Sequence, residues 1–276
     1  DSICHAFATT GTGGFSTKQA SIEFYHSPYI EYVISIFMFV SGINFTLLLL
    51  FVNGKFRKFI HDAELKWYLW SVIGFTAFIA IVLYYNSSMG VEEAFRKSLF
   101  QVASLHTSTG FATADYMTWP SVLWGTLTVI MIIGACAGST TGGMKCIRLL
   151  ILAKISRNEF KHITHPNAVL PVRVNKQVIS PSIRSTVLAF SFLYAVLIIV
   201  GTLAMMGMGV GLLESLGCTI SSLGNMGPGL GLCGPAYSWN ELPDMGKWLM
   251  SFFMLLGRLE LFTVLLLFSS DFWKKN

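Results

Sequence analysis

The sequence predicts an all-α integral membrane protein built from repeated units, each with a half-length helix, a re-entrant loop and a full span. Composition is the first observation behind this prediction. Of the 276 residues, 53% are hydrophobic and only 12% are charged, whereas a soluble domain carries roughly 25% charged residues. The second observation is a loop motif that occurs three times, each time between a short apolar segment and a longer one. The net charge of +5 does not indicate nucleic-acid binding, because the basic residues lie in loops between apolar runs.

The recurring loop motif combines glycine with hydroxyl side chains. Its copies occupy residues 9–17, 105–113 and 223–229. Aligning the Gly-Phe pairs places Gly14 opposite Gly110, and Gly227 takes the same place in the third copy. Hydroxyls beside a glycine, at the end of a half-length helix, predict a re-entrant loop that turns carbonyl oxygens toward an aqueous path and holds a cation there. Helix packing through small residues explains a single copy equally well, but three copies in register favour the ion path.

We therefore predict an ion-binding filter in the three loops. Glycine permits the backbone conformations that aim successive carbonyls in one direction. A half-length helix also presents the negative end of its dipole to the path. The candidate ion-binding residues are Thr10, Gly11, Thr12, Gly13, Gly14, Thr107, Ser108, Thr109, Gly110, Gly224, Asn225, Met226 and Gly227.

The remaining elements follow from the apolar runs. A full span needs about 20 apolar residues, and the predicted spans are 28–53, 67–85, 119–154, 185–208 and 246–268. The half-length helices lie within 2–10, 89–106 and 210–222. Glu92, Glu93 and Glu214 stand near the starts of the last two, where acids favour the helix dipole.

The span at 119–154 contains a glycine-rich segment, residues 134–143, that should break the helix at membrane depth. Each glycine destabilises a helix by about 1 kcal/mol, and such a break is tolerated only where protein or water covers the backbone. We interpret the segment as a flexible gate inside the filter, with a small-residue packing face as the alternative. The gate residues are Gly138, Ser139, Thr140, Thr141, Gly142 and Gly143.

Arg258 lies near the middle of the last span. An arginine at that depth costs roughly 3 kcal/mol or more, and it normally faces a wet cavity or a partner. We predict that it forms an electrostatic barrier below the filter and donates hydrogen bonds to carbonyls of residues 138–143. A plain ion pair with Glu260 is less natural, because residues two apart on a helix do not face each other.

The distribution of basic residues predicts the orientation. The loops at 55–66 and 145–184 and the tail, with Lys274 and Lys275, carry 14 of the 19 Lys and Arg residues. These regions are therefore predicted to be cytoplasmic, with the three loops facing outward. The basic stretch 154–176 is expected to bind either a cytoplasmic partner or anionic lipid.

Other kinds of site find little support in the sequence. The five cysteines show no paired spacing, so we predict neither a disulfide framework nor a metal site. His5 and His106 are expected to pack within the half-length helices rather than bind a ligand. Residues 138–146 approach a phosphate-binding loop, but Met144 stands where lysine is needed. No enzymatic activity and no cofactor are predicted.

At these residues the chain resembles the Trk/Ktr/HKT superfamily of potassium transporters, most closely the bacterial Trk uptake subunits. The resemblance covers essentially the whole chain. The resemblance rests on residues 8–17, 107–115, 134–148, 165–168, 224–231 and 257–260. It implies four repeats around a pseudo-fourfold pore, of which about three are present here, with K⁺ as the transported ion. It also implies that the loops are the second to fourth filter segments, that residues 138–143 are the gate loop and that Arg258 is the gate arginine.

The resemblance further implies a domain order and a set of partners. Residues 1–63 would hold the end of repeat 2, residues 64–160 repeat 3, residues 161–184 a cytoplasmic connection and residues 185–276 repeat 4. We expect an N-terminally truncated fragment of a multi-pass protein of the bacterial inner membrane. Its expected partners are membrane lipid, a second copy in a homodimer and a cytoplasmic nucleotide-binding ring (TrkA).

Overall fold

The apolar segments of the chain form helices, because a helix satisfies its backbone hydrogen bonds within the segment when no water is near. The computed structural model describes residues 1–274. Its helices are α1 (Ser2–Thr10), α2 (Pro28–Ser41), α3 (Phe45–Val52), α4 (Phe56–Ile60), α5 (Ala63–Asn86), α6 (Val91–His106), α7 (Ser121–Ile133), α8 (Cys146–Thr164), α9 (Pro181–Gly207), α10 (Leu212–Gly224), α11 (Asp244–Arg258), α12 (Leu261–Leu266) and α13 (Ser270–Trp273). A two-stranded antiparallel hairpin, β1 (Arg173–Val174) and β2 (Gln177–Val178), interrupts them. The prediction of a helical fold is confirmed.

Within the described part of the chain, α5 and α9 are long and apolar enough to cross a membrane, and the bent pair α2–α3 would make a third span. Both long helices begin at a side-chain cap. Asp62 accepts the N–H of Leu65 at 2.9 Å, and Ser180 accepts the N–H of Ile183 at 3.3 Å. The buried faces of these helices contact the rest of the protein, and their remaining apolar side chains, such as Phe192 on α9, are exposed. Exposed apolar faces of this kind suit contact with lipid.

The span predicted at 28–53 is broken into two helices. Helices α2 and α3 meet at 102°. Asn44 starts the second helix, because its side chain accepts the N–H of Thr46 at 2.8 Å. Gly42 ends the first helix beneath Tyr68, and a methyl group built on Gly42 would overlap the Tyr68 hydroxyl. The short break therefore rests on a cap and on a contact with another helix.

The last span, predicted at 246–268, is also broken into two helices. Helix α11 ends at Arg258, and α12 begins at Leu261. Between them Glu260 has a φ of 64°, a left-handed conformation that ends the first helix. The predicted break in the span at 119–154 is confirmed, since α7 ends at Ile133 and α8 begins at Cys146.

The three predicted half-length helices are present as α1, α6 and α10, with 9, 16 and 13 residues. Helix α6 packs against α5 and α2, and α10 packs against α9 and α11. Arg96 of α6 fixes one of these contacts through an ion pair of 2.6 Å with the buried Glu31 of α2. Helices α6 and α10 are thus each held between two other helices, which positions the loop at the end of each. Of the two predicted tail lysines, Lys275 lies outside the described residues.

Candidate functional site

The loops that follow α1, α6 and α10 share one backbone geometry. We call them corner loop 1 (residues 10–14), corner loop 2 (107–110) and corner loop 3 (224–227). In each loop an N–H donates five residues back into the helix, and these bonds measure 2.7, 2.9 and 3.0 Å. The donors and acceptors are Gly13 to Ala8, Thr109 to Ser104 and Met226 to Ser221. This bond is typical of a helix end in which the chain reverses through a left-handed residue.

Positive φ angles recur at matching positions in the three corner loops. The left-handed residues before the reversal are Thr12 (50°), Ser108 (55°) and Asn225 (52°). Two positions later stand Gly14 (67°), Gly110 (85°) and Gly227 (97°). The alignment of Gly14, Gly110 and Gly227 predicted from the sequence is therefore present in the backbone. Non-glycine residues rarely adopt positive φ, so the same departure at three sites indicates one shared structure.

Corner loops 1, 2 and 3 lie next to one another in chain order. A methyl group built on Gly14 would overlap the carbonyl oxygen of Thr109, and one built on Gly110 would overlap the carbonyl oxygen of Met226. Only glycine allows such an approach of two backbones. The candidate residues of the three loops, 93 to 217 positions apart in the chain, are thus brought to one place.

The glycine-rich segment lies against all three corner loops. The N–H of Gly142 donates to the hydroxyl of Ser108 at 3.2 Å, and the hydroxyl of Thr12 donates to the carbonyl of Thr140 at 3.1 Å. A methyl group built on Gly142 would overlap the carbonyl oxygen of Gly224. The segment is therefore placed beneath the loops and in contact with each.

Arg258 contacts the same segment from α11. Its guanidinium Nη1 donates to the carbonyl of Thr140 at 2.8 Å, which is the hydrogen bond predicted from the sequence. Glu260 instead pairs with Arg148 at 2.9 Å and with Lys145 at 3.4 Å. Arg148 also lies over the ring of Phe190, 3.9 Å from its centroid. Among the ion pairs of residues 1–274, none joins Arg258 to Glu260.

The two histidines of the half-length helices pack as expected. A ring nitrogen of His106, Nε2, lies 2.8 Å from the hydroxyl of Ser71, and Nε2 of His5 lies 2.9 Å from the hydroxyl of Ser16. His106 is fully buried between α5 and α6 and meets the edge of Tyr68. His106 therefore connects α6 to α5, and His5 connects α1 to the segment that follows corner loop 1.

The expectation of no disulfide is wrong. Cys218 of α10 is bonded to Cys233, 15 residues later, in the turn that follows corner loop 3. The pairing arises because the chain reverses at corner loop 3 and returns along its own helix. Spacing alone carries no information about such a reversal, so the sequence offered no signal for it.

Two further elements of the site were missed from the sequence. One is the break at 42–44, where the N–H of Cys136 donates to the carbonyl of Gly42 at 3.1 Å and that of Phe45 donates to the carbonyl of Gly138 at 3.0 Å. The other is Glu64, whose carboxylate accepts the N–H of Ala137 at 2.6 Å. The signals available in the sequence were a glycine and an asparagine inside an apolar run, and an acid in the first turn of a span.

Comparison with known proteins gives the family. The family model for TrkH, described as a cation transport protein, matches residues 1–275. Among curated relatives, the Trk system potassium uptake protein TrkH of Escherichia coli is 36% identical over 281 residues, and TrkH of Halomonas elongata is 35% identical over 278 residues. Each alignment covers 100% of this chain and 57% of the relative. The chain thus spans little more than half the length of these relatives.

A solved structure gives the same result. The crystal structure of the potassium transporter TrkH from Vibrio parahaemolyticus superposes with a TM-score of 0.93 at 33% sequence identity. The superposition covers 99% of this chain and 59% of that one. Together with the family model that spans nearly all residues, these likenesses show that the chain belongs to the TrkH family of cation transport proteins.

Proposed function

We propose that the chain supplies three corners of a carbonyl-lined filter for K⁺ uptake, with an intramembrane gate beneath it. The observation that carries the proposal is the shared backbone of the corner loops, with positive φ at both Thr12 and Gly14 and at the matching residues of the other two loops. The relatives named as potassium uptake proteins support the choice of ion. As in the family, the protein would transport a cation rather than catalyse a reaction, and K⁺ would be its cargo.

The chemistry of the corner loops suits a dehydrated alkali cation. Carbonyl and hydroxyl oxygens of corner loops 1 and 2 replace water ligands, and the C-terminal ends of α1, α6 and α10 add negative potential. Corner loop 3 offers Asn225 and Met226 in place of threonines, so the corners would not contribute equally. An inside-negative potential supplies about 2.3 kcal/mol per charge per 100 mV, which is enough to drive accumulation.

The gate is proposed to be residues 138–143 together with Arg258. The contacts of Gly142 and Thr140 with the corner loops support a position of this segment across the inner mouth of the filter. The guanidinium of Arg258, bonded to Thr140, would add a positive barrier to a cation. Opening would require the segment to leave the loops and Thr140 to leave Arg258.

A fourth corner is proposed beside Gly227. Gly14 and Gly110 each face the carbonyl of the following loop, whereas a methyl group built on Gly227 would meet nothing within 4 Å. The same arrangement would place a further loop at this position. In the resulting domain assignment, residues 1–63 belong to repeat 2, residues 64–160 to repeat 3 and residues 185–276 to repeat 4. Residues 161–184 connect repeats 3 and 4.

We propose that the protein lies in the bacterial inner membrane with the corner loops facing outward. Basic residues concentrate on the opposite side, as expected for cytoplasmic loops. The disulfide between Cys218 and Cys233 supports this orientation, because disulfides persist in oxidising compartments such as the periplasm. On the cytoplasmic side, a nucleotide-binding regulatory subunit of the TrkA type and a second copy of the chain remain the proposed partners.

Two other functions stay as alternatives. A Na⁺-permeable or Na⁺/K⁺-coupled transporter would use the same corners with different selectivity. A membrane scaffold would use the small residues of the corner loops only to pack helices.

Rubidium uptake by a full-length subunit that contains this chain, expressed in cells without other potassium uptake, tests the proposal. We expect Gly110→Val to abolish uptake, because the side chain would overlap the Met226 carbonyl and glycine alone adopts a φ of 85° without strain. Gly125→Ala, a helix position with nothing within 4 Å, is the matched control and should leave uptake unchanged. Normal uptake by a well-expressed Gly110→Val variant would favour the scaffold, and uptake of Na⁺ at an equal rate would favour the first alternative.

A further inference from the structure

A buried carboxylate holds the glycine-rich segment on the side away from the corner loops. Glu64 is the second residue of α5, and only 6% of it is exposed. Its Oε1 accepts the backbone N–H of Ala137 at 2.6 Å. The N–H of Ile147, at the start of α8, also faces this carboxylate. One side chain of a neighbouring span therefore reaches into the break between α7 and α8.

The contact with Ala137 joins two parts of the glycine-rich segment that have different partners. The residues before it are tied to the helices, through the bonds of Cys136 to Gly42 and of Cys146 to Ala135, at 3.1 and 2.9 Å. The residues after it face the corner loops and Arg258 through Thr140 and Gly142. The carbonyl of Gly138 also accepts the N–H of Phe45, at 3.0 Å. Ala137 and Gly138 thus stand at the boundary between the fixed and the pore-facing part of the segment.

We propose that Glu64 is a positioning residue that holds the gate closed, an inference that rests on the proposed gate. A buried carboxylate is costly unless hydrogen bonds satisfy it, and a buried N–H is costly without an acceptor. In the closed arrangement each group satisfies the other. Movement of Ala137 away from α5 separates both groups at once, so the bond favours the arrangement in which Thr140 meets Arg258.

A merely structural role for Glu64 makes a different prediction. As an acid in the first turn of α5, it also favours the helix dipole. Asp62 has that structural role more directly, since it caps the helix through Leu65 and accepts the amide of Asn175 at 2.6 Å. Removing the Asp62 carboxylate weakens the start of α5 without touching Ala137. Comparing variants of Asp62 and Glu64 therefore distinguishes an effect on helix capping from an effect on the gate.

The test measures resting rubidium flux through the full-length subunit in vesicles, with the variants Glu64→Ala, Glu64→Gln and Asp62→Ala. We expect Glu64→Ala to raise resting flux about 10-fold, because leaving the buried N–H of Ala137 without its acceptor shifts a two-state equilibrium by roughly that factor. Glu64→Gln keeps a carbonyl oxygen as acceptor and should restore most of the closed behaviour. Asp62→Ala should lower thermal stability and leave flux per molecule unchanged.

The accessibility of residues 138–143 to a thiol reagent gives a second measurement, which a change in helix stability alone would not alter. A cysteine introduced at Ser139, in a background whose native free cysteines are replaced, should react with a charged thiol reagent several times faster in Glu64→Ala than in the parent.

In the double variant with Arg258→Ala, the increase in flux from Glu64→Ala should be smaller than in the parent, because both residues act on one segment.

The outcomes separate this inference from the proposed function. Equal resting flux and equal cysteine reactivity in Glu64→Ala and the parent, with flux still abolished by Gly110→Val, would overturn the role of Glu64 and leave the filter intact. Flux that survives Gly110→Val would instead overturn the proposed filter. Increased flux in Asp62→Ala equal to that in Glu64→Ala would assign the effect to the helix start and reject the role of Glu64 in positioning the gate.

Discussion

Lys145 and Glu260 occupy equivalent positions in two broken helices and are ion-paired with each other. Each is the residue before the second half of its helix, with φ and ψ of 71° and 135° for Lys145 and of 64° and 138° for Glu260. Nζ of the lysine lies 3.4 Å from Oε1 of the glutamate. The break between α7 and α8 and the break between α11 and α12 are therefore connected to each other at their matching points.

Replacing either member of this pair should destabilise the protein unequally. Glu260 also binds Arg148 at 2.9 Å, so Glu260→Gln leaves two cations without their acid, whereas Lys145→Gln removes one contact of 3.4 Å. The pair is partly exposed, with 47% exposure for the glutamate side chain. We expect losses of about 1 kcal/mol and under about 0.5 kcal/mol, respectively. Thermal unfolding of the purified full-length subunit in detergent measures both, and equal shifts would contradict the shared role of Glu260.

Removal of the Arg258 guanidinium should raise conduction. Arg258→Ala eliminates the hydrogen bond to Thr140 and the positive charge below the corner loops. Arg258→Lys keeps the charge but loses the planar donor, so its flux should lie between those of the parent and the alanine variant. Rubidium uptake at matched expression distinguishes the three proteins. A lower or unchanged uptake by Arg258→Ala would argue against a barrier.

The bond between Cys218 and Cys233 should stabilise corner loop 3. It closes a loop of about 15 residues, for which chain entropy predicts about 3 kcal/mol. Reductant is therefore expected to lower the unfolding temperature of the parent protein but not of a variant with both cysteines replaced by alanine. Cys4→Ala, at an exposed free cysteine, is the control. A parent protein whose unfolding is insensitive to reductant would show that the bond does not contribute.

Two glycines of α9 should respond in opposite ways to alanine. A methyl group on Gly201 would overlap the ring of Phe253, whereas one on Gly207 would meet nothing within 4 Å. Gly201→Ala should destabilise the protein by about 1–3 kcal/mol through overpacking. Gly207→Ala should be neutral or stabilise it by up to about 1 kcal/mol through helix propensity. Unfolding of the two variants under identical conditions gives the comparison, and similar shifts would refute the close packing of α9 against α11.

The sequence was most informative where a pattern repeats. The alignment of Gly14, Gly110 and Gly227 could be predicted because positive φ favours the same residue type at each copy. The break between α7 and α8 could be predicted because four glycines stand within 134–143. In both cases the local chemistry of the backbone determines the structure.

The other breaks depend on contacts that no single stretch displays. Gly42 and Asn44 are too few to outweigh the apolar run around them, and the break is fixed by Tyr68 and by the bonds with residues 136–138. Glu260 has no glycine at the break itself, and its conformation coincides with ion pairs to residues more than 110 positions earlier. The partners of Glu64 and Cys218 likewise become visible only after the chain has folded.

The two close approaches between the corner loops both run in chain order. Gly14 meets the backbone of the loop that follows it in the chain, and Gly110 does the same with the next. A bulky substitution at Gly14 or Gly110 therefore presses on the loop that comes later in the chain rather than on the earlier one. Damage at Gly14 should distort Thr109, whereas damage at Gly227 leaves both of the other loops in place.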